Sequence, residues 1–164
     1  MTYICKAICA LGVAPVFPAA LAAQELTLGL GATDYTDVGT NSAAFEVEYR
    51  HSAFVERPVL SLALGANASV SGKGDLFAGG GLWARWHWDS GWFIDGSVMP
   101  GVYGKGKDGN DLGSTFEIRS LLGLGYSFGT GRTVSIAASH KSNASTADNN
   151  PGTNTYLIRY HFSF

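Results

Sequence analysis

Near the C-terminal end of this 164-residue chain stands His140-Lys141-Ser142, a histidine and a serine with one residue between them. In an extended strand, side chains two residues apart leave the same face. An imidazole and a hydroxyl so placed come within hydrogen-bonding reach, as a general base and its nucleophile must. A His-x-Ser pair is common, and by itself it reads equally well as two polar residues at the rim of a strand. What separates the two readings is the face on which the pair lies, and that face is set by the strands that carry it.

Eight segments of the chain alternate with a period of two. Leu26, Leu28 and Leu30 oppose Thr27, Gly29 and Gly31, and Phe45, Val47 and Tyr49 oppose Glu46, Glu48 and Arg50. Leu60, Leu62 and Leu64 oppose Ser61, Ala63 and Gly65; Leu82, Ala84, Trp86 and Trp88 oppose Trp83, Arg85 and His87. Further on, Trp92, Ile94 and Val98 oppose Phe93, Asp95 and Ser97, and Ile118, Leu122 and Leu124 oppose Glu117, Arg119 and Gly123. Val134, Ile136 and Ala138 oppose Ser135 and Ala137, and the chain closes on Tyr156, Ile158, Tyr160, Phe162 and Phe164 against Arg159 and His161. Such repetition marks strands with one apolar and one polar face.

The polar faces carry Glu46, Glu48, Asp95 and Glu117 against Arg50, Arg85, Arg119 and Arg159. Four acids against four bases suit a paired network inside a narrow barrel and fit poorly with a soluble, lipocalin-like one. The expected fold is all-β, an eight-stranded antiparallel transmembrane β-barrel with its apolar face toward lipid. Trp86, Trp88, Trp92 and Tyr160 are then candidates for the interfacial aromatic girdle.

Residues 1–23 have the parts of a signal peptide: Lys6, an apolar run, and small residues at Ala22 and Ala23 before Gln24. The expected organisation is a signal peptide over 1–23 and one barrel domain over 24–164 in the outer membrane. Lys6 is the only charge in the leader, so 10 basic residues remain against 13 acidic ones. With no basic run, nucleic acid is not an expected partner. Both cysteines, Cys5 and Cys9, lie in the leader, which leaves the barrel without a thiol for a disulfide, metal or nucleophile. No cofactor, phosphate loop or metal motif is expected.

Residues 52–57, 89–91 and 129–132 read as short turns, whereas 34–43, 68–76, 104–114 and 144–153 read as longer polar loops. Outer-membrane barrels keep short turns in the periplasm and long loops outside. Parity carries Val134, Ile136 and Ala138 on to His140 and Ser142, and Phe164 back to Asn154. All three polar residues should therefore face lipid. Residues 154 to 164 rise about 36 Å along a strand, or about 27 Å at a tilt of roughly 40°. Since that is nearly a full crossing, the three should cluster at the outer leaflet.

His140-Lys141-Ser142-Asn143-Ala144, then Asn150-Pro151-Gly152 and a last strand ending in Phe164, resembles the PagL family of lipid A 3-O-deacylases. The resemblance implies hydrolysis of the acyl ester at the 3-position of lipid A, with lipopolysaccharide as the partner and no cofactor. Carried over, His140 is the general base and Ser142 the nucleophile. Asn154 takes the place of the family's orienting glutamate, and Ser145 stands where a glycine often follows. Asn143 remains a candidate oxyanion donor, although its parity is inward. The alternative is a non-catalytic small outer-membrane barrel for adhesion or membrane integrity, and a homo-oligomer stays open.

Other clusters have simpler readings. Lys73, Lys105 and Lys107 are solvated loop lysines or contacts for lipid phosphates. His87 and His161 belong to the lumen network, and Asp108, Asn110 and Asp111 are turn residues or a calcium loop. Asp148 is a further acid in the loop before Asn154.

Overall fold

The computed structural model describes residues 24–34 and 41–164. The expected signal peptide and most of the first loop lie outside the described residues. Nine strands are described: β1 (Glu25–Asp34), β2 (Ser42–Arg50), β3 (Val55–Arg57), β4 (Leu60–Ser71), β5 (Leu76–His87), β6 (Trp92–Gly104), β7 (Phe116–Ser127), β8 (Thr133–Ser142) and β9 (Thr153–Ser163). Each pairs antiparallel with its neighbours, and β1 joins both β2 and β9, with Leu28 opposite Val47 on one side and Tyr160 on the other. β2 also pairs with β4. Eight strands thereby close into a barrel with no free edge, the condition for crossing lipid with strands.

β3 is the extra strand. β2 stops pairing at Arg50, opposite Gly65, and the first residues of β4 pair with Val55–Arg57 instead. The expected turn over 52–57 is thus partly a short strand at the barrel's rim. The expected loop at 68–76 is shorter than its composition suggested. β4 and β5 run on to Ser71 and Leu76, and Gly74 turns the chain with φ of +87° while the Ser71 hydroxyl accepts from the amides of Lys73 and Asp75. β1 likewise runs on to Asp34.

The faces follow the expected parity. Leu30, Leu122 and Ile158 are 65%, 66% and 71% exposed, whereas Glu46, Glu48, Asp95, Arg119 and Arg159 are buried. That is the reverse of a water-soluble domain and the pattern of a barrel in lipid. Inside, Arg159 spans Glu48 at 2.8 Å and Asp95 at 3.3 Å. Arg119 pairs with Glu46 and with Glu48, the latter at 2.9 Å. Arg85 meets Glu25 at 2.8 Å and Asp95 at 3.2 Å, and His161 bonds Glu25 at 2.9 Å.

Two details of the network differ from expectation. Glu25, the first residue of β1, is a central acceptor. Glu117 is buried as expected, but its carboxylate makes no hydrogen bond among the described residues. His87 lies 4.0 Å from Glu56, at the edge of the network. With Trp83, Phe93 and Met99 also packed inward, the lumen is filled. Trp86, Trp88, Trp92 and Tyr160 project outward at one end of their strands, where Trp92 meets Tyr126 edge-on at 5.2 Å.

Candidate active site

β8 and β9 are adjacent, and their register sets His140 directly opposite Asn154. The two side chains meet on the outer face, with His140 Nδ1 at 2.8 Å from Asn154 Oδ1. An amide oxygen only accepts, so Nδ1 carries the proton and Nε2 is left with the lone pair. The expected trio is thus partly assembled. His140 and Asn154 are bonded, and Ser142 shares their face two residues along β8, opposite Ile118 of β7. No hydrogen bond joins the Ser142 hydroxyl to the imidazole among the described residues. Bonds of this kind often tighten only when substrate is bound.

A depression beside His140 is lined by Ser120, Leu122, Ala138, Asn154 and Tyr156. Leu122, Ala138 and Tyr156 also line an apolar groove that continues over Leu30, Ala32, Ile136 and Ile158. A polar pair at the head of an apolar channel on the lipid side is suited to an ester bond at the end of an acyl chain.

Beyond Ser142 the chain turns sharply. The Thr146 amide donates to the Asn143 carbonyl at 3.1 Å across Ala144 and Ser145, whose φ values are +52° and +61°. Both central residues are left-handed, as in a type I′ turn, a conformation that favours glycine or asparagine. Ser145 stands at a position where the backbone itself favours glycine. Strain of this kind clusters at functional sites.

The turn is anchored from inside. Asn143 is fully buried, and its Nδ2 donates to the carbonyls of Leu112 at 3.1 Å and Asn149 at 2.7 Å. Its backbone amide donates to Asn150 Oδ1 at 3.0 Å. With both amide hydrogens committed, the Asn143 side chain is no oxyanion donor but a clamp between two loops. In the sequence Asn150 and Gly152 stand only as part of the motif, with no role of their own. The structure ties Asn150 to the turn after Ser142 and lays Gly152 against the His140 ring.

The other clusters take ordinary roles. Lys105 pairs with Asp111 at 3.2 Å, and the Gly113 amide together with Lys105 holds the Asp111 carboxyl below the usual carboxylate range. Asn110 is buried, and its carbonyl accepts from the Tyr103 hydroxyl at 2.8 Å. These contacts build the loop between β6 and β7. Among the described residues no group of three or more His, Cys, Asp or Glu is placed to hold a metal.

Known proteins share this architecture. The crystal structure of the outer-membrane enzyme PagL superposes with a TM-score of 0.69 at 19% identity, covering 84% of this chain and 98% of that one. Neisserial surface protein A follows with a TM-score of 0.56 at 8% identity, covering 87% and 96%. The Yersinia pestis outer-membrane protein Ail gives 0.51 at 11% identity, covering 86% and 99%. At these identities the likeness shows the fold. No curated protein sequence matches significantly. With its apolar exterior and closed strands, this chain is likewise an outer-membrane β-barrel. The family model described as lipid A 3-O-deacylase (PagL) matches residues 43–163, most of the chain, and the protein belongs to that family.

Proposed function

We propose that the protein is a serine esterase that removes the acyl chain from the 3-position of lipid A in the outer leaflet. The observation that carries this reading is the bond between His140 and Asn154, made on the lipid-facing side at the head of the apolar groove. A polar pair is costly on that face and marks a candidate functional site. The groove receives the acyl chain and brings its ester carbonyl to Ser142. Ser142 Oγ attacks the carbonyl carbon as His140 Nε2 takes its proton. The tetrahedral intermediate collapses, and the imidazolium returns the proton to the departing 3-oxygen of lipid A. Water, activated by the same nitrogen, then releases the fatty acid from Ser142. Asn154 keeps the ring in the tautomer that leaves Nε2 basic.

Mass spectrometry of lipid A from cells with and without the protein tests the reading. The expected result is a species lighter by one 3-linked acyl chain, absent with Ser142→Ala or His140→Ala while both variants still assemble. Members of a nucleophile–base pair are strongly non-additive, so the double variant should be no worse than either single one. Loss of the 3-acyl chain in cells carrying Ser142→Ala would remove the assignment.

A further inference from the structure

Asn154 orients His140 but brings no charge to it, and an esterase base gains from an anion when it becomes imidazolium. We infer that Asp34 of β1 is that anion, acting through Asn154 as a positioning residue. The inference rests on the esterase reading.

Asn154 has two cross-strand partners, His140 on β8 and Asp34 on β1. The three therefore form one row across adjacent strands. Directly opposed residues have Cβ atoms about 4.5–5.5 Å apart. Asp34 continues the outward parity of Leu26, Leu28, Leu30 and Ala32, so it lies on the same face as the site. Its backbone is clamped to β9. The Thr153 hydroxyl donates to the Asp34 carbonyl at 2.7 Å, and one residue earlier the Thr33 and Thr155 hydroxyls meet at 3.0 Å. The row is therefore fixed in register.

The chemistry of the row is directional. Asn154 Oδ1 accepts from the imidazole, so the NH2 of the same amide is left to donate elsewhere. It makes no hydrogen bond to Asp34 among the described residues, and Asp34 is its cross-strand neighbour on the other side. An amide NH2 only donates and a carboxylate only accepts. The row can thus run from the Asp34 carboxylate through Asn154 to the Nδ1–H of His140, and such chains polarise cooperatively. When Nε2 takes the Ser142 proton, the new positive charge lies one amide away from a carboxylate. Among the described residues, the other ionisable groups on this side are Tyr156, one outward step along β9, and Asp148 in the preceding loop. Lys141, Glu117, Arg119, Glu46 and Asp75 face the lumen, on the other side of the wall.

The test uses the full-length protein in detergent, with lipopolysaccharide as substrate and His140 titrated by NMR. Removing an anion near an imidazole disfavours its protonated form. Asp34→Asn should lower kcat roughly 10-fold with KM unchanged. It should also move the acid limb of the kcat profile, and the His140 titration, to lower pH. Adding Asn154→Glu to Asp34→Asn should restore both. Asp34→Ser is read in the same way, and heat-modifiable migration verifies that each variant is folded. Wild-type kcat with an unmoved His140 titration would overturn the inference, as would a lower kcat with no shift of the titration. The NMR arm needs no turnover, so it is read separately from the fate of the esterase assignment.

Discussion

Gly152 lies so close to the imidazole that a β-carbon placed on it would stand 2.7 Å from His140 Cε1 and 3.0 Å from Nε2. It also has φ of +66°, where side chains other than glycine are strained. The ring is therefore held on two edges, by Asn154 at Nδ1 and by a backbone that must carry no side chain. Gly152→Ala should displace the ring by a fraction of an ångström while the barrel still assembles. Misplacement by about 1 Å can cost about 100-fold. A loss of at least 10-fold in kcat is expected, with normal heat-modifiable migration. Wild-type turnover in this variant would show that the contact constrains nothing.

Much of this was legible in the sequence because alternation reports faces without reference to partners. The outward parity of His140, Ser142 and Asn154 needed only Val134 and Phe164 as references. Glu25 could have been found by the same rule, since it shares the parity of Thr27 and Gly29, but a residue at a strand's first position has no alternation before it. Asp34 reads as loop because aspartate favours turns, and only the register with β9 shows that it extends β1. The residues about Ser71 read as a long loop because Ser69, Ser71 and Lys73 are polar and Gly72 favours turns, while tertiary pairing with β2 keeps Ser69 and Ser71 extended. Asn143 and Gly152 depend on how two loops meet, which periodicity does not encode.

Arg159 joins two carboxylates, Glu48 and Asp95, in the filled lumen, and all three are buried. Arg159→Ala would leave Glu48 with Arg119 and Asp95 with Arg85, one buried arginine each where each now has two. Breaking a buried pair typically costs about 3–5 kcal/mol, more than the pair itself is worth. Urea unfolding in lipid vesicles should show a clear drop in midpoint. Arg159→Met with Glu48→Gln should recover part of it, because fewer uncompensated charges remain. An unchanged midpoint in Arg159→Ala would mean that the network contributes little.

The face assignment can be checked with one pair of substitutions. Leu122 points to lipid and Ser61 to the lumen, where its hydroxyl donates to Glu56 at 2.7 Å. An arginine on the lipid face near the midplane costs about 2–4 kcal/mol. Ser61→Arg meets crowding, but it also meets Glu56. Leu122→Arg should therefore reduce assembled protein in the outer membrane far more than Ser61→Arg does. Equal tolerance of the two would contradict the face assignment of β4 and β7.

Asn154 allows the sharpest test of the site, because among the described residues its side chain makes one hydrogen bond, to His140 at 2.8 Å. Asn154→Ala removes the acceptor that fixes the protonated nitrogen, so the ring is free to place its proton on Nε2, the wrong atom for a base. Removing an orienting partner of this kind costs roughly 10- to 10,000-fold in kcat. The residue lies at the rim of the lipid face, so the variant should insert and migrate like wild type. Asn154→Glu keeps an acceptor within reach and adds a charge. An anion beside imidazole favours the protonated form, and the base must be deprotonated to act. The acid limb of the kcat profile should therefore move to higher pH, while activity on the plateau is equal to or above that of wild type. If Asn154→Ala deacylates lipid A at the wild-type rate, the ring has another anchor. Asp148, in the exposed loop between β8 and β9, is then the first acid to substitute, with His140 and Ser142 left in their proposed roles.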